Sequence, residues 1–174
     1  DEIKEDALEV INTIHSYGIE TCMLTGDNEI VASYVANKVG IKNYKHSLLP
    51  MDKMDIIEND LRKTVFVGDG VNDAPSLIAS SVGVAMGALG SDVAIESSDI
   101  VLMKDNLSAI VDALKISKKT NKIVSQNIVF SLGIKVLIML LGVFGLSTLW
   151  MAVFADVGVT LLAVLNSLRI NKIK

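Results

Sequence analysis

Cysteine is nearly absent from this 174-residue chain, occurring once, at Cys22. That excludes a disulfide framework and any cysteine-rich metal cluster built from the chain alone. The opening residues Asp1-Glu2-Ile3-Lys4 lack a basic start followed by an apolar run, so no signal peptide is expected there. Charge is missing from one region. From Ile123 to Leu168 only Lys135 and Asp156 are charged, whereas residues 1–122 carry 12 basic and 19 acidic side chains. Such a skew excludes a single uniformly soluble globule. Low hydrophobicity is absent as well: 51% of residues are hydrophobic and mean hydropathy is +0.48, which excludes intrinsic disorder.

The first 105 residues alternate helical and strand patterns. Asp6 to Tyr17 sets Leu8, Ile11, Ile14 and His15 at helical spacing before Gly18. Residues 19–24 read as a buried strand and Thr25-Gly26-Asp27-Asn28 as the loop at its carboxyl end. Glu29 to Val39 is helical and closed by Gly40. A weaker strand lies near 45–49, and Pro50 to Lys63 is helical with Met51, Met54, Ile57 and Leu61 on one stripe. Residues 64–67 form a short apolar strand, followed by the loop Gly68-Asp69-Gly70-Val71-Asn72-Asp73. A brief helix over 74–80, a strand over 82–86, a helical turn over 91–97 and a strand over 99–103 complete the pattern. Strands separated by helices imply an α/β fold with a parallel sheet covered on both faces. Loops after the carboxyl ends of such strands form the ligand crevice, and both Asp-bearing loops fall there.

After Asp105 the character changes. Residues 107–122 form an amphipathic linker helix ending in Lys115, Lys118, Lys119 and Lys122. Two apolar stretches follow, 123–144 and 149–168, each about the 20 residues that cross a bilayer. Gly145 to Thr148 is their only connection, so 123–174 is predicted to be a transmembrane hairpin in a lipid bilayer. Basic residues precede the first span and follow the second, at Arg169, Lys172 and Lys174. By the positive-inside tendency both ends are cytoplasmic, which suits an unpaired thiol.

The loops carry the chemistry. Thr25-Gly26-Asp27 offers a hydroxyl, a backbone N–H and a carboxylate at a strand end, a set that serves phosphate oxygens but also makes ordinary turns. Gly68 to Pro75 is more specific. Its carboxylates Asp69 and Asp73 flank two glycines just after an apolar strand. Hard carboxylate oxygens suit Mg²⁺, which also takes waters and phosphate oxygens, and the glycines admit close backbone approach. Asp73 also stands where a helix N-cap belongs. Lys53, early in a helix, is either a solvated cation or a point charge for phosphate.

In this order, Met23-Leu24-Thr25-Gly26-Asp27-Asn28, then Pro50-x-x-Lys53, then Gly68 to Pro75, then Val84-Ala85-Met86-Gly87, the chain resembles P-type ATPases. The segment is their haloacid-dehalogenase-like phosphorylation domain, a Rossmann-like parallel sheet with helices on both faces. The resemblance implies that Thr25, Gly26 and Asp27 contact a phosphoryl group, that Lys53 neutralises it and that Asp69 ligates Mg²⁺. Asn72 and Asp73 complete the network, with Asp73 also near the Mg²⁺. The family's phosphorylated aspartate lies in an Asp-Lys-Thr-Gly-Thr motif that this sequence lacks. The expectation is therefore a C-terminal portion of a pump, in which 1–106 belongs to the phosphorylation domain. ATP is then bound mainly by a domain not in this chain. The partners are the actuator and nucleotide-binding domains and the earlier transmembrane helices, with no nucleic acid. The location is the plasma membrane, with the soluble part cytoplasmic.

An ionisable residue within a span is a functional-site hypothesis by default. Lys135 lies ten residues before Gly145, and Asp156 eight after Thr148. At 1.5 Å per residue these are about 15 and 12 Å from the turn, so the two side chains can pair. Such a pair either fixes helix register or forms half of a cation transport site. Asn127, seven intervening residues, Lys135, then Asp156-Val157-Gly158 is similar to the pattern of P-type pumps that export Zn²⁺, Cd²⁺ or Pb²⁺. The family's Cys-Pro-Cys ligands, on an earlier helix, are not in this chain. Its alternatives are a membrane-anchored phosphatase of the same superfamily, for which no Asp-x-Asp nucleophile is present, and a non-catalytic fragment that complements a pump. His15 and His46 have no clustered partners and are not expected to bind metal. Cys22 is expected as a buried apolar filler, Met139 and Met151 as packing residues, Gly142 and Gly145 as points of close helix approach, and Trp150 as an interfacial anchor.

Overall fold

The computed structural model describes residues 3–69, 72–87, 92–103 and 106–172. Asp1, Glu2, Gly70, Val71, Ser91, Asp105 and Lys174, used in the sequence reading, lie outside the described residues. The chain divides into two compact units, Asp1–Val111 and Asp112–Lys174.

In the first unit, α1 (Ala7–Ser16) buries Ala7, Val10 and Ile14 on one face, while Leu8 is exposed. Gly18 ends the segment with φ +74°, a value glycine adopts without steric cost. Asn28 caps α2 (Glu29–Val39), its Oδ1 accepting from the Val31 N–H at 3.0 Å, and Gly40 closes it in the left-handed region. Ala32, Ala36 and Val39 are its buried residues. Pro50 opens α3 (Pro50–Glu58), where its missing N–H costs nothing, and the Leu49 N–H donates to Asp52 Oδ2 at 2.8 Å. This helix ends earlier than its sequence pattern suggests. The Asn59 N–H still bonds the Asp55 carbonyl at 3.1 Å, but the Asp60 N–H turns to the Ile57 carbonyl, three residues back, at 3.2 Å, which tightens the last turn and ends the helix. Of the expected stripe, Ile57 is buried, whereas Met51 and Leu61 are exposed.

The five strands among the described residues are all parallel, but they form two sheets. β1 (Cys22–Leu24) pairs with β2 (Asn43–Lys45), a few residues before the expected position of the second strand. β3 (Val65–Gly68), β4 (Val82–Met86) and β5 (Ile100–Leu102) pair in sequence order. Helix α4 (Ala74–Ala79) connects β3 to β4, and α5 (Asp92–Glu96) lies between β4 and β5. Leu77 of α4, Ala85 of β4 and Ala94 of α5 form the buried cluster, with Phe66 and Val101 packed on it. Gly83 makes this contact possible: a Cβ there would stand 2.6 Å from the Leu77 carbonyl oxygen. Among the described residues β1 pairs only with β2 and β3 only with β4. Each therefore keeps one unpaired edge, and Cys22 and Val65 on these strands are exposed.

Helix α6 (Ser108–Val143) runs unbroken through both the linker segment and the first expected span, 36 residues in all. It ends at a left-handed glycine, Gly145 with φ +71°, where the Leu146 N–H reaches back to the Leu141 carbonyl at 2.9 Å. The return begins with α7 (Leu149–Val153) and continues through a π-helical turn (Phe154–Gly158) and α8 (Val159–Ser167) to a final 3-10 turn (Leu168–Lys172). Ser108–Val143 and Leu149–Ile170 each contain an 18-residue stretch, of mean hydropathy 1.9 and 1.8, that is apolar enough to cross a membrane.

Candidate functional site

The Thr25–Asp27 loop is closed on itself at the carboxyl end of β1. Thr25 Oγ1 donates to Asp27 Oδ2 at 2.9 Å and accepts from the Asp27 N–H at 3.1 Å. The loop is seated on the segment leading out of β2. The Ser47 N–H donates to the Asp27 carbonyl at 2.7 Å and the Leu48 N–H to the Thr25 carbonyl at 3.1 Å. Gly26 is tight there, since a Cβ would stand 3.3 Å from the Leu48 carbonyl oxygen. Ser47 itself adopts φ +55°. Three residues later α3 begins, so the Thr25 loop and the helix bearing Lys53 are held by one short stretch of chain.

Lys53 joins α3 to the second Asp-bearing loop. Its Nζ donates to Asp73 Oδ1 at 2.8 Å, and each side chain is only 16% exposed. Charge on charge at this depth is well beyond a solvated surface contact. Asp73 is held close to the end of β3: a Cβ on Gly68 would lie 2.9 Å from Asp73 Oδ2 and 3.0 Å from the Phe66 ring. Asp69 follows Gly68 and is exposed, as is Asn72. The structure thus brings Lys53 and Asp73 together and sets Asp69 beside them in sequence. The Thr25 and Asp27 side chains bond to each other rather than to that pair. Asp73 sits at the start of α4 without a side-chain cap bond, so the capping role open to it in the sequence is not the one it takes.

The donor set suits Mg²⁺. Asp69 and Asp73 present hard oxygens, Asp73 Oδ2 lies in a hollow that only glycine leaves open, and Mg²⁺ takes the rest of its shell from water and phosphate. No group of three or more His, Cys, Asp and Glu forms a metal cluster among the described residues.

In the hairpin, Lys135 Nζ donates to Asp156 Oδ1 at 3.1 Å. Asp156 lies within the π turn, where the Val159 N–H reaches the Phe154 carbonyl five residues back. The Asp156 carbonyl accepts from Thr160 Oγ1 at 2.6 Å. Such single wide turns recur at functional sites. Periodicity did not reveal the turn; the nearest signal is Gly158, where a Cβ would stand 2.6 Å from the Phe154 ring.

The remaining candidates are ordinary. His15 Nε2 is hydrogen-bonded to Thr21 Oγ1 at 2.8 Å and His46 Nδ1 to Ser47 Oγ at 3.2 Å. Cys22 is exposed, not the buried filler expected; among the described residues its strand, β1, pairs on one side only. Partial burial still raises its thiol pKa, so it is a poor nucleophile. Away from the loops, Arg62 bridges Glu20 at 2.7 Å and Asp60 at 2.9 Å. The Arg62 side chain, by its hydrogen bond, pulls the Asp60 carboxyl down to about 2.

Residues 1–80 match the family of haloacid dehalogenase-like hydrolases. Over 99% of its length the chain is 54% identical to a zinc-transporting ATPase of Synechocystis sp., of which it covers 25%. It is 49% identical over its whole length to a cadmium, zinc and cobalt-transporting ATPase of Bacillus subtilis, covering 26% of that protein. Its structure resembles the crystal structure of a zinc-transporting PIB-type ATPase in an E2.Pi state, with TM-score 0.90 and 36% identity, over 98% of this chain and 28% of that one. The chain thus spans about a quarter of the length of the relatives it matches.

Proposed function

We propose that this chain, which matches heavy-metal P-type ATPases from end to end, works as the C-terminal part of an ATP-driven exporter of Zn²⁺, Cd²⁺ or Pb²⁺. The reaction of the complete pump is ATP hydrolysis through an aspartyl-phosphate, and residues 1–174 contain no Asp-Lys-Thr-Gly-Thr motif to supply that aspartate. The unpaired edges of β1 and β3 are where a strand bearing the nucleophile inserts, joining the two small sheets into one parallel sheet. Thr25 Oγ1 and the Gly26 N–H then hold phosphoryl oxygens. Lys53, steadied by Asp73, neutralises their charge. Asp69 holds Mg²⁺ with the help of Asp73, and the bound ion supplies further charge neutralisation at the phosphoryl oxygens. The pump sits in the plasma membrane with the first unit on the cytoplasmic side, alongside its actuator and nucleotide-binding domains.

The observation that carries the transport reading is the 3.1 Å Lys135–Asp156 contact, made by the two charged residues of the stretch from Ile123 to Leu168. A carboxylate binds a divalent cation, and the ammonium takes over as its counter-ion when the cation leaves. In the complete pump Asp156→Ala should abolish high-affinity zinc binding and zinc-stimulated ATP turnover together. Lys135→Ala should lose turnover more than binding. If the pair were only a structural clip, replacing both residues by leucine would leave zinc-dependent turnover intact, and that result would end the transport reading.

A further inference from the structure

The hairpin holds a second polar cluster that the transport reading does not use. Asn127 Nδ2 donates to the Ala163 carbonyl at 3.2 Å and to Ser167 Oγ at 2.9 Å, and Asn127 Oδ1 accepts from Asn166 Nδ2 at 2.8 Å. The cluster is closed by Ser167 Oγ donating to the Ala163 carbonyl at 2.9 Å and by Arg169 donating to Asn166 Oδ1 at 3.0 Å. One carboxamide therefore engages its donor and its acceptor on positions 163, 166 and 167, which share a helix face. Asn127, Asn166 and Ser167 are all partly buried. Among the described residues the only other side-chain bond between the two membrane helices is Lys135–Asp156.

The Lys135–Asp156 link lies in the π turn, and the Asn127 cluster engages the helix beyond it. Asn127 is eight residues from Lys135 and Asn166 ten from Asp156, so the links are about 12–15 Å apart along the helices. A turn with one extra residue shifts the phase of everything beyond it by about 100°. The direction in which Asp156 points is therefore not set by α7 alone. It depends on what holds the helix on the far side of the turn. A polar fork that can be satisfied at only one rotation holds it there, whereas an apolar side chain packs at several.

We propose that Asn127 is a positioning residue: by clasping Ala163, Asn166 and Ser167 it fixes the rotation of the second membrane helix beyond the π turn and so keeps Asp156 facing Lys135. The functional consequence rests on the transport reading of that pair; the geometric claim does not. The test uses the complete protein in lipid vesicles, with its native cysteines replaced and single cysteines at positions 135 and 156. Their apposition is read with bifunctional thiol reagents of graded length. With Asn127 present, the short reagents should link the pair. Asn127→Leu should lose that reaction, Ser167→Ala should slow it, and Asn127→Gln, which keeps the fork, should restore it. Unchanged linking by short reagents in Asn127→Leu overturns the proposal. If Asn127→Leu fails to insert, unchanged linking in Ser167→Ala together with Asn166→Ala does the same. A parallel arm keeps Lys135 and Asp156 and measures zinc alone. There Asn127→Leu should weaken zinc-stimulated turnover about tenfold, the scale of residues that orient a metal ligand, and Asn127→Gln should recover it. Loss of linking with full zinc response would keep the clasp and discard the transport reading instead.

Discussion

Lys53 and Asp73, each with a side chain 16% exposed, form an ion pair between α3 and the start of α4. Removing one partner strands the other's charge in a partly dry place. Asp73→Ala should lower unfolding stability by about 1–3 kcal/mol, measured by denaturant titration of the chain. Gly68→Ala should reproduce part of that loss, because its methyl would press on Asp73 Oδ2 and the Phe66 ring. Asp69→Asn discriminates chemistry from turn geometry. Asn serves a turn or cap as well as Asp, so phosphoenzyme in the complete pump should persist if Asp69 is structural. If it holds Mg²⁺, phosphoenzyme formation should fall by about 100-fold, the scale of one lost electrostatic stabiliser. A carboxyl outside this corner gives a pH signature. The Asp60 carboxyl should titrate at about 2 instead of 3.8 because Arg62 hydrogen-bonds it, and Arg62→Ala should return it to the ordinary range, read by carbon NMR. A depressed folded-state pKa means the pair contributes above about pH 4 and stops contributing as pH falls toward 2. Lys53 and Asp73 were legible in the sequence as members of two motifs. Their contact was not, because the two stand twenty positions apart and the chain between them had to fold before they met. Cys22 was misjudged for the opposite reason: its apolar neighbours describe a buried strand, while burial depends on a partner strand that periodicity cannot supply.

Elements with their own punctuation were read nearly to the residue. Glu29–Val39 is bracketed by Asn28 and Gly40, and β4 is an apolar run between a short helix and a glycine. Pro50 fixed where α3 starts, but nothing apolar marked its end, where the Asp60 N–H turns back to the Ile57 carbonyl. The π turn had no periodic signal, since one widened ring leaves the hydrophobic pattern intact on both sides. Its test is steric. Gly158→Ala would set a methyl 2.6 Å from the Phe154 ring, so the ring must swing out or the turn must close to α. Either response should move Asp156, and nitroxide labels flanking the turn should show a distance change between the two membrane helices. At the sheet, Gly83→Ala meets a backbone carbonyl rather than a movable side chain. It should destabilise the first unit by about 1–3 kcal/mol through overpacking, read as a lower denaturation midpoint, with the hairpin's helical signal unchanged.

For the molecule as a whole, phosphoryl transfer to an aspartate needs a nucleophile, and the motif that carries it is absent from residues 1–174. Incubated alone with labelled ATP and Mg²⁺, the chain should form no acid-stable phosphoenzyme. Label recovered on any of its aspartates would show that the chain is catalytically self-sufficient. The unpaired sides of β1 and β3 bear on handling as much as on catalysis. Free rows of backbone N–H and C=O groups are templates for any strand within reach, and in a concentrated preparation the nearest strand belongs to another copy. Concentrated by itself, this chain should associate by edge-to-edge pairing, whereas dilute samples should stay dispersed. A short β-strand peptide added in excess should suppress that association.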